Sequence, residues 1–290
     1  MLNEYGSTGI MLPTLGLGAA QIGDARVVEA DAAIVLNRAL DLGVTLIDTA
    51  PGYGLSEERI GRLIAHRRQE FVLSTKLGYG VEGVPDWTGA AITAGVERAL
   101  RLMKTNVIDI AHLHSCPLST LAETDVIDAL ERAKKDGKVR AIAYSGENEA
   151  LHYAIHTGRF DGFMASLNLF DQRVIAEVLP KIIGKGFIAK RPAANHPWRF
   201  ESVPTGEYCE VYWHRLQAMQ LNQHGQAWGE IALRFAANFF GVSSSIIGTA
   251  NLHHLEDSVK WIAAGALDVA HVDAIRARFQ ACDQDWVGQI

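Results

Sequence analysis

The sequence predicts an α/β fold, a (β/α)8 TIM barrel formed as a single domain over residues 1–290. Three observations lead there. The chain has 290 residues, a length at which alternating barrels form one unit. Helix-like stretches ending at glycine are followed repeatedly by short apolar runs that stop at a polar residue. The ends of those runs fall near positions 19, 48, 76, 114, 145, 168, 190 and 248, which makes eight, mostly one βα unit apart. Continuous apolar strands read as a parallel sheet covered on both faces. The rival, a doubly wound open sheet, carries a glycine-rich turn after its first strand, and GLGAA is a poor match to it.

The elements follow in order. LPTLGLGAA (12–20) supplies a first strand. Asp31 is a candidate N-cap for the helix AAIVLNRALDL, which Gly43 stops, and VTLID then ends at Asp48. FVLSTK (71–76) is the third strand. Val96, Ala99, Leu100 and Met103 form one helical stripe before VIDIAHLH (107–114). Val126, Leu130 and Ala133 stripe the helix Asp125–Asp136, which Gly137 caps ahead of KVRAIAYS. Gly158 precedes FDGFMASLN, and Gly184 and Gly186 precede FIAK. A Pro-, Trp- and Tyr-rich loop (192–213) reads as an active-site loop, with helical patterns near 211–221 and 226–239. Gly241 precedes VSSSIIG, and the tail 267–290 reads as a helix and a loose end.

Composition narrows the function. Apolar residues make up 48% and charged residues 21%, which is globular. The net charge of −6 argues against nucleic acid as a partner. No run of about 18 apolar residues suggests a membrane span, and the first residues lack a secretion signal. Cys116, Cys209 and Cys282 are odd in number and widely spaced, so neither a disulfide framework nor a metal site is expected. A reducing cytoplasm and a monomer are expected.

In such barrels chemistry sits at the C-terminal ends of the strands. Asp48, Lys76, His114 and Ser145 fall there, and Tyr53 lies in the loop DTAPGYG. Taken singly, each has an ordinary structural use. Closure of a barrel would set the ends of strands two, three and four side by side. A phenol titrates near ~10 when free, and an adjacent ammonium favours its phenolate. A buried ammonium needs a counter-charge, which Asp48 could supply. A neutral imidazole could hold a carbonyl oxygen. The set can move a proton at an oxygen but holds no hydride donor, so redox chemistry would require a nicotinamide cofactor. A Schiff-base lyase using Lys76 as nucleophile and a nicotinamide-binding regulatory protein with little turnover are the competing readings. His112 reads as a core residue. Glu57 and Arg59 read as helix-face charges.

GVTLIDTAPGYGLSEERIGRLI, STK, IDIAHLHS, AYSGEN, LNLFDQR and IIGTANLHHLEDS occur in this order. In these motifs the chain resembles the aldo-keto reductases, NAD(P)H-dependent enzymes built on a β/α barrel, over nearly its whole length. The resemblance implies Asp48, Tyr53, Lys76 and His114 as the catalytic four, with Tyr53 as general acid and base. The substrate implied is a small carbonyl compound (aldehyde, ketone or sugar lactol) or its alcohol. Asp48 and Ser145 are implied at the nicotinamide, Ser145 holding its carboxamide. Pro192 and its neighbours are implied along the pyrophosphate channel, and Gly248, Thr249, Asn251, His254 and Asp257 at the adenosine half; Lys190 and Arg191 could meet the pyrophosphate charge, or Arg191 could form a structural ion pair. Tyr53 and His114, with Tyr79, Trp87 and Trp198, are expected to meet the substrate; Tyr208, Tyr212 and Trp213 are further aromatic candidates. The chain departs from the family at Gly146, where Asn is common, at Met164, where Gln is usual, and at Lys190, where an aromatic ring often stacks. Neither Gly248 nor His254 offers the cation that often binds a 2′-phosphate, so a weak or reversed preference for NADP(H) over NAD(H) is expected.

Overall fold

A computed structural model of the chain describes residues 1–123 and 125–290. A two-stranded antiparallel hairpin comes first, β1 (Leu2–Glu4) and β2 (Met11–Pro13). β3 (Leu15–Gly18) follows directly, so LPTLGLGAA divides between the hairpin and the barrel. Then come α1 (Glu29–Asp41), β4 (Leu46–Asp48), α2 (Ser56–Leu63), β5 (Val72–Leu77), α3 (Gly89–Leu102) and β6 (Ile108–His114). α4 (Leu118–Glu123), α5 (Asp125–Lys135), β7 (Val139–Ser145), α6 (Asn148–His156), β8 (Gly162–Ser166), α7 (Arg173–Glu177) and β9 (Gly186–Lys190) continue the alternation. α8 (Glu210–Met219), α9 (Trp228–Ala237), β10 (Ser244–Gly248), α10 (Leu252–Ala263) and α11 (Val269–Cys282) complete it.

The eight strands β3 to β10 are parallel and close on themselves, β10 pairing with both β3 and β9. The helical stripes read from the sequence face inward: Val96, Ala99, Leu100 and Met103 are buried, as are Val126, Leu130 and Ala133. Thr88 caps α3, its side chain accepting from Ala91 N–H.

Strand residues of one parity fill the barrel interior. Leu46, Ile110, Ala143, Met164, Ile188 and Ile246 form one apolar cluster there with Tyr5, Ile10 and Leu12 of the hairpin region. The hairpin thus supplies the floor, with Tyr5 fully buried. Further along the same strands, the inward positions become polar: Asp48 after Leu46, His112 and His114 after Ile110, Ser145 after Ala143, and Lys190 after Ile188. Alternation by two keeps each of these on the inner face, at the mouth.

Several local expectations need correction. α1 starts two residues before Asp31, with Val28 at its N-cap, so Asp31 is a first-turn acid and not the cap. β8 ends at Ser166, and Asn168 instead bridges to Asp171 in a tight turn. Glu57 and Arg59 are buried. Glu57 accepts from Thr75 Oγ1 at 2.9 Å and pairs with Arg98. Arg59 reaches the carbonyls of Ile22, Asp24 and Val27 and the Glu29 carboxylate, tying α2 to the loop after β3. Both residues are structural ties, because their side chains run back over the barrel wall and away from solvent.

Candidate active site

Strand register assembles the site. Asp48 lies opposite Ser74, and Lys76 opposite His112. Lys76 Nζ comes to 2.5 Å from Asp48 Oδ2 and donates to the Thr49 carbonyl at 2.9 Å. The other Asp48 oxygen accepts from Ser74 Oγ at 2.7 Å, and Ser74 Oγ is 3.1 Å from His112 Nε2. His112 is buried and neutral; burial, with the Lys76 charge, holds its pKa well below the ordinary value. Burial opposes the charge on Lys76, but Asp48 and the Tyr53 oxygen outweigh it, and its pKa stands above that of a free lysine. A lysine kept protonated is a poor nucleophile, which removes the physical basis of the Schiff-base reading.

Tyr53 is placed by the turn between β4 and α2. Its N–H donates to the Ala50 carbonyl, its carbonyl accepts from Ser56 N–H, and Thr49 Oγ1 donates to Ser56 Oγ at 2.7 Å. The segment after β3 packs tightly on this turn: a Cβ on Gly23 would stand 1.6 Å from the Tyr53 carbonyl oxygen, so only glycine fits. The Lys76 ammonium lies over the Tyr53 ring, 4.8 Å from its centroid. His114 faces Tyr53 edge-on, ring centroids 6.0 Å apart. Burial and the positive charges of Lys76, Lys190 and Arg191 push the His114 pKa down to about 2, so its imidazole is neutral. The four side chains predicted to act together converge.

They border a cleft of about 600 Å³ that runs across the mouth from His114 and Ser145 past Pro192 to Gly248, Thr249 and His254. That volume suits a bound cofactor. Ser145 lines the cleft, and its Oγ is buried and has no hydrogen-bond partner among the described residues. A buried orphan hydroxyl is costly unless a ligand satisfies it. An amide group is the fitting partner, and the residues present accommodate a nicotinamide.

The departures from the family pattern have structural causes. A Cβ on Gly146 would lie 2.5 Å from Tyr144 Oη, and the Tyr144 hydroxyl is bonded to the Cys116 carbonyl, so an asparagine has no room. Met164 is an interior residue that completes the apolar cluster and lines the cleft. Lys190 pairs with Glu147 at 3.1 Å, and the same Glu147 oxygen holds Ser166 N–H and Oγ at 2.8 Å. Burial, with Arg191, outweighs Glu147 and lowers the Lys190 pKa. Arg191 bonds to neutral oxygens, the Gln289 carbonyl and the Tyr208 hydroxyl.

Other expected site residues are placed differently. The Asn251 carboxamide oxygen accepts from His253 and His254 N–H, capping α10. Thr249 Oγ1 is engaged with the Asn251 backbone. Asp257 is exposed on α10 and is not among the cleft-lining residues. Trp198 stacks on Trp228 at 6.0 Å, Trp87 packs over Gly78, and Trp213 Nε1 donates to the Phe200 carbonyl. Tyr212 is buried beside Asp171. Only Tyr208 of the aromatic candidates lines the cleft itself. Sequence reasoning missed Gln21, Asn195 and Arg199, which do line it. Gln21 stands just past a strand end and could have been found there; nothing in the loop marked Arg199.

A barrel mouth with a phenol beside a protonated lysine, next to a dinucleotide-sized cleft, belongs to a nicotinamide-dependent oxidoreductase of carbonyls and alcohols. Comparison with known proteins fixes the family. Residues 14–278 match the model of the Aldo/keto reductase family, and the chain belongs to it. It is 33% identical over 303 residues to an L-glyceraldehyde 3-phosphate reductase of Escherichia coli, covering 88% of this chain and 85% of that one. It is 27% identical over 300 residues to a D-threo-aldose 1-dehydrogenase of a Pseudomonas species, covering 89% and 91%. The fold matches a Bacillus halodurans aldo-keto reductase solved in its holo form, with a TM-score of 0.82 at 24% identity over 96% and 95% of the two chains. The protein is an NAD(P)-dependent enzyme that interconverts a carbonyl and its alcohol. Among the described residues no helix is long and apolar enough to cross a membrane.

Proposed function

We propose that this chain reduces or forms a small polyhydroxylated carbonyl compound, with Tyr53 exchanging the proton. One observation carries the reading: the Lys76 ammonium, paired with Asp48, lies over Tyr53, with neutral His114 across the same cleft. NAD(P)H, when bound, supplies the hydride that the carbonyl carbon receives. The residues of the chain do the rest. Ser145 binds the carboxamide through its free hydroxyl. His114 donates a ring N–H to the carbonyl oxygen and orients it. Tyr53 Oη gives its proton to that oxygen, and the Lys76 charge stabilises the phenolate left behind. Asp48 keeps Lys76 charged and in place. In the oxidative direction the phenolate takes the alcohol proton.

The substrate class rests on the two relatives named for a triose phosphate and an aldose. It also rests on polar groups available in the cleft: Gln21, Ser115 and Asn195 line it. For the cofactor, Arg199 offers a cation that Gly248 and His254 do not, but it is exposed and shared with Glu207 at 3.8 Å. The preference between NADPH and NADH is therefore weak, below about 100-fold, or ~2.7 kcal/mol. The three cysteines are unpaired, which suits a reducing compartment such as the cytoplasm.

The test is a spectrophotometric panel of aldoses, triose phosphates, simple aldehydes and ketones, run with both reduced cofactors, and of alcohols with both oxidised ones. Turnover of hydroxylated carbonyls above simple ketones is expected. Turnover of none of them would defeat the reading, and a preference beyond 100-fold for one cofactor would defeat the cofactor statement.

A further inference from the structure

Tyr79, expected on the substrate wall, has its hydroxyl already engaged. Tyr79 Oη lies 2.6 Å from His114 Nδ1, and the two rings stack at 5.5 Å between centroids with 29° between planes. The same oxygen faces the turn that carries Tyr53: a Cβ on Gly52 would stand 3.0 Å from it. Trp87 holds Tyr79 from behind. Its N–H donates to the Gly78 carbonyl at 2.6 Å, and its ring is tilted against Tyr79 at 5.9 Å.

The hydrogen-bond roles follow from relative acidity. Tyr79 Oη has a single hydrogen; a phenol is a stronger donor than a neutral imidazole N–H, and an imidazole nitrogen a stronger acceptor than a phenol oxygen, so that hydrogen is directed at Nδ1. A neutral imidazole that accepts at Nδ1 carries its proton at Nε2. His114 Nε2 has no partner among the described residues, and His114 lines the cleft. Without the Tyr79 hydroxyl the proton could sit on either nitrogen, and the ring would present an acceptor to the carbonyl oxygen part of the time.

We propose that Tyr79 is a positioning residue for the reaction. Its hydroxyl locks His114 into the Nε2–H tautomer, and its ring packs against the Tyr53 turn at Gly52, so that hydrogen-bond donor and proton donor are held as one unit. This rests on the reading above, in which His114 donates to the carbonyl oxygen. Tyr79 acts through His114 and does not contact the reacting atoms.

The test combines a direct look at the tautomer with a double-mutant cycle. In the full chain labelled with 15N-histidine, the His114 signals are identified by their loss in His114→Gln. Wild type is expected to show the proton on Nε2 and a bare, hydrogen-bonded Nδ1. Tyr79→Phe should show a mixture of both tautomers. Its kcat should fall about 10- to 100-fold, the range for a partner that orients an imidazole through its second nitrogen, with KM and the dissociation constant for reduced cofactor within about two-fold. In a His114→Ala background the same substitution should cost less than about two-fold, because the group it acts through is gone. A wild-type proton on Nδ1 would overturn the proposal, even if Tyr79→Phe fails to fold. Effects that multiply in the His114→Ala background would overturn it too. The tautomer measurement needs no turnover, so the two failures separate: full activity in Tyr53→Phe would end the acid–base reading, whereas a Nδ1 proton would end this proposal and the donation from His114 while leaving Tyr53 as the proton donor.

Discussion

The floor and the mouth of this barrel are made by the same strands with the same inward parity, and they behave as opposites. At the floor, Tyr5, Ile10 and Leu12 close over Leu46, Ile110, Ile188 and Ile246, an apolar plug. Two residues further along β4 and β9, the inward positions are Asp48 and Lys190; along β6 they are His112 and His114. The floor gains stability from the apolar surface it buries, offset at one point by the Tyr5 hydroxyl, which has no partner among the described residues. The mouth buries an ion pair, two neutral histidines and an orphan hydroxyl, all of which cost free energy unless they are partnered. Stability is concentrated at one end and chemistry at the other, so substitutions at the two ends should separate folding from function.

The sharpest break is Tyr53→Phe. Turnover should fall by about 10³-fold, roughly 4 kcal/mol of transition-state stabilisation, while the melting temperature and cofactor affinity stay near wild type. Steady-state kinetics beside thermal denaturation checks it, and normal turnover would sink the proton-transfer role. At the floor, Tyr5→Ala should do the reverse. It opens a cavity under the barrel and should cost about 3–4 kcal/mol of stability. The kcat of the surviving folded protein should be little changed. Urea denaturation and active-site titration measure both; a large fall in kcat per folded molecule would show the ends to be coupled.

Ser145→Ala sharpens the comparison at smaller scale. The variant should weaken cofactor binding by about 1 kcal/mol, roughly five-fold, without lowering the stability of the free protein, since the hydroxyl has no partner to lose. Fluorescence titration and melting curves report the two quantities. Unchanged cofactor affinity would remove Ser145 from the nicotinamide site.

A pH-dependent effect concerns Asp171, in the turn after β8. Burial, with the nearby Glu147 charge, raises its pKa from 3.8 to about 7, against the opposing pull of Arg215 and Tyr212. A carboxyl raised in the folded state binds its proton more tightly there than in the unfolded chain. Its contribution is full below about pH 4 and is lost as pH rises through 7. Asp171→Asn should remove that loss. The melting temperature of the variant relative to wild type should rise between pH 4 and 7 and level off above. A difference that is flat with pH would contradict the assignment.

Much of this was legible in the chain. Strands buried on both faces read as unbroken apolar runs, which is why seven of the eight barrel strands could be placed by their ends. The rule that reactive groups stand at those ends picked out Asp48, Lys76, His114 and Ser145. The hairpin β1–β2 was not legible, because three-residue strands leave no period to read. Glu57 and Arg59 looked like solvated charges because helical spacing tells which face a side chain leaves from, not where its far end lies. The aromatic residues of the long loop looked like substrate walls. Most proved to be engaged elsewhere: Trp198 stacks on Trp228 of α9, Trp213 Nε1 donates to the Phe200 carbonyl and Tyr212 is buried beside Asp171.

The sequence by itself determined the alternation, the closure into a barrel and the residue types at the mouth, because these depend on local period and on parity along each strand. Only the tertiary structure decided which charges are paired, that Lys76 stays protonated against Asp48, that Tyr144 leaves no room for a side chain at Gly146, and that the Tyr79 hydroxyl meets His114 Nδ1. Those outcomes depend on distances of a few ångströms between residues tens of positions apart, and desolvation and hydrogen bonding change steeply over such distances.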